Sequence, residues 1–129
     1  MHPYISVLQT YMKALGESDY ATIKTLFGPD GRVRSPFLGE MEAGAFFDRL
    51  NGASSLNVIT PIDIFISTTE QYHATAYFQY DWTVKDGTLI TFKVMDLFTF
   101  GPEGSKIKHL DLIYDTHPIR STAGNKYES

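Results

Sequence analysis

A single carboxylic acid interrupts the most hydrophobic row of residues in the chain. In the segment TLITFKVMDLFTF (residues 88–100), the alternate residues from Ile90 to Phe100 are all apolar except Asp96. Side chains alternate between the two faces of a strand, so Asp96 shares its face with this apolar row. A buried ionised acid is costly, and Asp96 must therefore find a partner or stay protonated with a raised pKa. The pattern favours either a structural acid bonded to a neighbour or a functional acid at the bottom of a pocket.

Helices are predicted to precede strands along the chain. Apolar residues recur at helical spacing over residues 2–16, Ser18 or Asp19 can cap a second short helix, and residues 42–51 form a third. The segment GPDG (28–31) is predicted to be a turn, and RVRSP to be a short strand that Pro36 limits to an edge or an end.

Four β-rich runs follow the helices. They cover residues 57–68, 72–84, 88–100 and 106–115, with hairpin turns at 85–87 and 101–105. This order predicts an α+β domain in which a four-stranded antiparallel meander packs one face against the helices.

Composition and charge limit the possible functions. A chain of 129 residues suits one domain, and we expect a single domain over residues 1–129 with a frayed tail from about residue 120. The net charge is −4 and no basic stretch stands out, which argues against nucleic acid and membrane partners. Cysteine is absent and the four histidines lack metal-ligand spacing, so we expect no metal and no cofactor. No signal-peptide pattern or apolar membrane span is found, which predicts a cytoplasmic protein.

The face of the sheet opposite Asp96 is predicted to be half-apolar. Met95, Leu97 and Ile113 alternate there with polar residues. An exposed apolar sheet face is typical of a protein interface, so we expect a homodimer through the outer sheet face.

Three segments carry a resemblance to a known superfamily. VLQTYMKALGESDYATIKTLF (7–27) and VMDLFTFGPEGSKI (94–107) resemble ketosteroid isomerases, and KIKHLDLIYDTHPIR (106–120) is similar to the ending of many SnoaL-like proteins. The order of elements over residues 4–116 resembles the nuclear transport factor 2-like superfamily, which includes SnoaL-like polyketide cyclases. The resemblance implies a cystatin-like conical barrel, with a curved antiparallel sheet wrapped around N-terminal helices and a central pocket. Homodimers packed through the outer sheet face are usual among such proteins.

The resemblance also implies roles for individual residues. Asp96 and Tyr11 match the acid and the tyrosine that donate hydrogen bonds to a developing oxyanion, for which ketosteroid isomerase keeps a carboxylic acid neutral. The isomerase base is an aspartate just before a proline, and this chain has Ser35 there. A hydroxyl cannot take a proton from carbon without a base of its own. Three possibilities stay open for the missing base. Either Asp96 itself is the base, or Asp81 or Asp111 supplies it, although strand alternation directs both to the outer face. The third possibility is that the protein binds a ligand and catalyses no reaction.

The resulting hypothesis is a small-molecule enzyme acting on an apolar ring compound through enolate-type chemistry, as an isomerase, a cyclase or a dehydratase. The alternative is a non-catalytic protein of the same fold that binds a hydrophobic ligand or serves dimeric assembly. Besides the catalytic pair, the pocket is predicted to be lined by Ser35, Phe27, Phe37, Phe46, Trp82, Phe92, Phe98, Leu112 and Tyr114.

Overall fold

The computed structural model describes residues 2–69, 71–102 and 104–123. The elements in chain order are α1 (Pro3–Gly16), α2 (Tyr20–Thr25), β1 (Phe27–Ser35), β2 (Gly39–Glu42), α3 (Ala43–Ala53), β3 (Ser54–Ile66), β4 (His73–Val84), β5 (Leu89–Phe100), β6 (Ile107–Tyr114) and α4 (His117–Ala123). In this part of the chain, every helix is too short or too polar to cross a membrane.

The six strands form one curved sheet in the order β2-β1-β6-β5-β4-β3. Strands β3 to β6 form the antiparallel meander that the sequence predicts. The sheet is larger than predicted, because β1 lies parallel to β6, with Val33 opposite Leu110, and β2 adds to the other side of β1. The sheet remains open, with β2 and β3 as its edges.

The concave face of the sheet takes the helices, which confirms the predicted α+β class. Burial alternates along β4 and β5, so that one row of each strand is buried and the other faces outward. The buried row of β5 runs from Ile90 to Phe100 and contains Asp96, as the alternation predicts. The acid therefore lies inside the fold.

The strand pairing corrects one local prediction and confirms another. Residues 28–31 lie within β1, where the register with β6 shifts between Phe27 and Arg32, so the GPDG segment is an irregularity of a strand instead of a turn. Strand β1 is paired on both sides, and it ends at Ser35, directly before Pro36, which confirms that this proline limits the strand at its end. Proline lacks the N–H that a further ladder bond would require.

The C-terminal segment contains a helix where a frayed tail is predicted. Helix α4 extends to Ala123, and the Asp115 side chain accepts a hydrogen bond from the N–H of His117 at 2.9 Å, which caps its start. Ile119 of this helix is fully buried. The remainder of the predicted tail, residues 124–129, lies outside the described residues.

Candidate functional site

A cavity of about 170 Å³ lies between the concave face of the sheet and the helices. Its lining is almost entirely apolar and aromatic, and consists of Tyr11, Leu15, Ser35, Phe37, Leu38, Phe46, Arg49, Leu50, Ala53, Phe78, Tyr80, Trp82, Phe92, Val94, Asp96, Leu112, Tyr114 and Ile119. For scale, an engineered apolar cavity of about 150 Å³ in another protein binds benzene. The cavity therefore has the size and the chemistry to hold a ring compound.

Asp96 forms part of the cavity wall and is completely buried, with 0% of its surface exposed. It stands in the middle of the sheet, between Ala76 of β4 and Leu112 of β6. Neither carboxyl oxygen has a hydrogen-bond partner among the described residues. Burial raises the pKa of Asp96 to about 8, and the negative charge of Asp111 adds to this, whereas Tyr11 opposes it. Asp96 is thus predominantly a neutral acid at pH 7.

Tyr11 faces the same cavity from α1 and is 1% exposed. Its ring packs edge-on against Phe98, with 4.9 Å between the ring centroids. Its hydroxyl is close enough to Asp96 for each group to shift the pKa of the other, yet the two do not form a hydrogen bond of normal length and angle. Burial, followed by the charge of Asp96, raises the pKa of Tyr11 well above its usual value. Both groups therefore carry protons that they can donate toward the cavity.

Ser35 also lines the cavity, and its side chain stabilises a turn of the backbone. Its Oγ accepts a hydrogen bond from the N–H of Leu38 at 3.1 Å, which closes the turn between β1 and β2. No hydrogen bond from Ser35 to a carboxylate or a histidine is found in the described part of the chain. Nothing in this arrangement would make the hydroxyl a base strong enough to deprotonate carbon.

The predicted pocket residues divide into two groups. Besides Ser35, six of them line the cavity: Phe37, Phe46, Trp82, Phe92, Leu112 and Tyr114. Phe27 and Phe98 do not appear in its lining. Phe27 packs against Phe47 in the core, and Phe98 lies against the ring of Tyr11.

Several lining residues are not predicted from the sequence. Helix α3 contributes Arg49, Leu50 and Ala53 in addition to Phe46, and α4 contributes Ile119. The lining residues of α3 could have been predicted from the sequence, because positions 46, 49, 50 and 53 fall on one face of a helix. The signal for α4 is Asp115, which stands in capping position before His117 and the following proline.

A buried polar network fixes one wall of the cavity. The hydroxyl of Tyr80 donates to Oδ1 of Asn57 at 2.8 Å, and Nδ2 of Asn57 donates to the hydroxyl of Tyr20 at 2.7 Å and to the carbonyl oxygen of Leu15 at 3.2 Å. The Tyr80 ring stacks on Phe92 with 5.3 Å between centroids. The network joins β3 and β4 to the first two helices and holds the Tyr80 ring in one orientation.

The other candidate acids lie on the outer face of the sheet. Asp81 accepts a hydrogen bond from the Thr91 hydroxyl at 2.8 Å, and Asp111 stands opposite Leu97 in the strand register. Their strand parity directs both away from the cavity. His109 contacts Glu40 at 3.0 Å, and this hydrogen bond, aided by Arg32, lowers the pKa of Glu40, while slight desolvation opposes the shift. Among the described residues, no cluster of three or more histidine or acidic side chains could hold a metal ion.

Comparison with known proteins places the chain in a fold class. No protein-family model and no curated protein matches the chain. A protein from Catenulispora acidiphila with a ketosteroid isomerase-like fold, solved with trimethylamine, matches with a TM-score of 0.78 at 16% identity over 95% of each chain. TerC co-crystallised with polyporic acid matches with a TM-score of 0.77 at 16% identity, covering 98% of this chain and 99% of that one. A putative polyketide cyclase from Silicibacter matches with a TM-score of 0.79 at 11% identity, covering 95% and 96%.

These matches show that the chain has the nuclear transport factor 2-like fold, to which the ketosteroid isomerase-like and SnoaL-like proteins belong. The resemblance seen in the sequence is thereby confirmed at the level of the fold. Proteins of one fold carry different chemistries, so function must be argued from the site.

Proposed function

We propose that this protein is a small-molecule enzyme of the ketosteroid isomerase and SnoaL-like type, acting on an apolar ring compound through enolate-type chemistry. The observation that carries the proposal is Asp96, a completely buried acid without a hydrogen-bond partner among the described residues, in the wall of an apolar cavity. An unsatisfied buried polar group is costly, and a ligand oxygen would supply the missing partner.

The neutral acid and the tyrosine form the two donors of an oxyanion site. A carbonyl oxygen of the substrate accepts hydrogen bonds from the Asp96 carboxyl and the Tyr11 hydroxyl. When the carbon beside the carbonyl loses its proton, negative charge moves onto that oxygen, and both hydrogen bonds strengthen. Such donors in a water-poor cavity stabilise the enolate without reorganisation.

The fate of the carbon proton defines the substrate further. Asp96 is the only carboxylate group in the cavity lining within the described residues, and it is mostly protonated at neutral pH. A substrate with an activated C–H, such as a 1,3-dicarbonyl compound, can release its proton to water at the open side of the cavity. The enolate carbon then attacks a second carbonyl, which closes a ring and leaves an alkoxide that takes up a proton from water. Alternatively, where the enolate is conjugated with a C=C bond, a more distant carbon takes up the proton from water, which completes an isomerisation. Ser35 takes no part in proton transfer.

The structural matches support this class of function. Solved proteins of the same fold include one described as a putative polyketide cyclase and one co-crystallised with polyporic acid. Both descriptions concern those proteins, and they support a small organic molecule as the ligand here.

Binding of a naphthol tests the oxyanion site, because a naphthol imitates an enolate and emits differently as phenol and phenolate. We expect wild type to bind it with phenolate character. Tyr11→Phe and Asp96→Leu should each weaken binding by about 100-fold, because each removes a hydrogen bond to the charged phenolate oxygen. Asp96→Asn retains a neutral donor and should stay within about tenfold of wild type. Fluorescence titration measures all four proteins.

Tyr4→Phe is the matched control, because Tyr4 lies on the same helix and outside the cavity lining. It should leave naphthol affinity unchanged. Equal binding by wild type, Tyr11→Phe and Asp96→Leu contradicts an oxyanion site and favours a hydrophobic-ligand carrier. Absence of binding to wild type contradicts the small-molecule proposal altogether.

Assembly through the outer sheet face is the second candidate function, and exposed apolar residues favour it. Tyr77, Met95 and Ile113 are register neighbours across three strands of that face, and Met95 and Ile113 are 38% and 51% exposed. Such a patch is typical of an interface. We therefore propose a homodimer through this face, which is compatible with catalysis in the cavity on the opposite side.

Sedimentation equilibrium tests the dimer. Wild type is expected at the mass of two chains of 14.5 kDa each, and the double variant Met95→Glu, Ile113→Glu at the mass of one, because two buried acids without partners oppose association. Tyr72→Glu is the matched control, since Tyr72 is an exposed residue directly before β4 and does not belong to the outward row that contains Tyr77. A monomeric wild type, or a dimeric double variant, contradicts this interface.

A further inference from the structure

An arginine that forms no ion pair with another described residue stands at the open side of the cavity. Arg49 is exposed and lies on the face of α3 that also carries Phe46 and Leu50. Phe46 is buried and Leu50 is partly buried, whereas Arg49 and Ala53 are solvent-accessible. This face of α3 therefore runs from the interior of the cavity to its mouth.

Acids of α3 and of the preceding strand β2 form ion pairs with residues other than Arg49. Its sequence neighbour Asp48 forms an ion pair with Lys24, and Glu40 is shared by Arg32 and His109. Arg49 takes part in no ion pair with another described residue. A guanidinium cannot lose its charge at physiological pH, so Arg49 places a permanent positive charge at the open side of the cavity.

Arg49 is also not the counterion of Asp96. The described groups that shift the pKa of Asp96 are Tyr11 and Asp111, besides burial itself. A cation close to Asp96 would lower its pKa, and Arg49 does not contribute such an effect. The mostly apolar lining thus contains two distinct polar groups, a buried neutral acid in the wall and an exposed cation on α3.

We propose that Arg49 binds an anionic substituent, a carboxylate, of the ring compound that occupies the cavity. The ligand class is an apolar ring with a carbonyl or phenolic oxygen at one end, facing Asp96 and Tyr11, and a carboxylate at the other. The planar guanidinium matches a carboxylate through two parallel hydrogen bonds. This inference rests on the proposed function, because it assumes that a ring oxygen meets Asp96. It adds a specificity determinant that the oxyanion chemistry does not require.

Two probes of equal shape test the inference: 6-hydroxy-2-naphthoate, which carries a carboxylate, and 6-hydroxy-2-naphthamide, which is neutral. In a fluorescence titration, wild type is expected to bind the naphthoate about fivefold more tightly than the naphthamide. This is the size of effect expected for an ion pair at a partly exposed site. Added salt should reduce this preference. In Arg49→Gln the preference should vanish, while the affinity for the naphthamide stays within about twofold, because the variant removes the charge and little apolar contact.

Arg34→Gln is the matched control, since Arg34 is exposed on β1, carries the same charge and does not line the cavity. It should keep the preference for the carboxylate. Equal binding of both probes to wild type, or a preference that persists in Arg49→Gln, overturns the role of Arg49 and leaves the oxyanion site intact. Failure of wild type to bind either probe overturns the proposed function and this inference with it.

Discussion

Asp96→Leu is expected to stabilise the fold while weakening the binding of phenolate-like ligands by about 100-fold. The change replaces a buried acid without a hydrogen-bond partner among the described residues by an apolar side chain of similar size. Removing an unsatisfied buried polar group should raise the free energy of unfolding by about 1–3 kcal/mol near pH 4, and by more at neutral pH. Urea unfolding of wild type and variant measures the difference.

The stabilisation is expected to grow with pH, and the sign follows from the raised pKa. In the unfolded chain Asp96 ionises near its usual pKa, whereas in the folded protein it keeps its proton up to about pH 8. Between about pH 4 and pH 8 the folded state therefore binds one more proton than the unfolded state, and wild type loses up to about 1.4 kcal/mol of stability per pH unit from this group. The stability of Asp96→Leu does not fall in this way, because leucine binds no proton.

Asp30→Asn serves as the control, because Asp30 is an exposed acid of β1 away from the cavity. Its stability should follow wild type at every pH. A difference between Asp96→Leu and wild type that does not change between about pH 5 and pH 8 contradicts a protonated Asp96.

Asn57→Ala is expected to have the largest destabilising effect of any polar substitution near the site. Asn57 is 1% exposed and joins Tyr20, Tyr80 and the carbonyl of Leu15. Its loss leaves buried polar groups without partners and should lower the free energy of unfolding by about 3 kcal/mol. Thermal and urea unfolding measure this loss. The naphthol should also bind less tightly, because the Tyr80 ring in the cavity wall loses its anchor.

The exposed Asn51 near the end of α3 provides a matched control. Asn51→Ala should change stability by less than about 0.5 kcal/mol, as is usual for surface positions. A loss below about 1 kcal/mol for Asn57→Ala would show that the network is replaced by water and does not hold the first two helices on the sheet.

The parts of the fold that follow local rules are predictable from the sequence. Strict alternation along β4 and β5 predicts their buried faces and places Asp96 inside. Helical spacing predicts α1 and the inward position of Tyr11, and Asp19 caps α2 by accepting the N–H of Thr22 at 3.1 Å. These patterns depend on neighbours within a few residues.

The features that depend on distant contacts are not predictable in this way. The parallel pairing of β1 with β6 joins segments that are far apart in the chain, and the four-residue strand GEME of β2 has no alternating apolar pattern. The cavity itself arises where α3 and α4 meet the sheet, so Arg49 and Ile119 enter its lining through tertiary packing. Phe27 and Phe98 have the right residue type for a pocket wall, but other rings cover them.

The protonation state of Asp96 is the central claim, and carbon NMR of its carboxyl group tests it most directly. The signal is assigned by its absence from the spectrum of Asp96→Asn, and its position is followed from about pH 3 to pH 10. The account predicts a midpoint near pH 8, and a shift of that midpoint when the naphthol binds. A midpoint near pH 4 would show that the acid is ionised at neutral pH, and would contradict an oxyanion site built on a neutral Asp96.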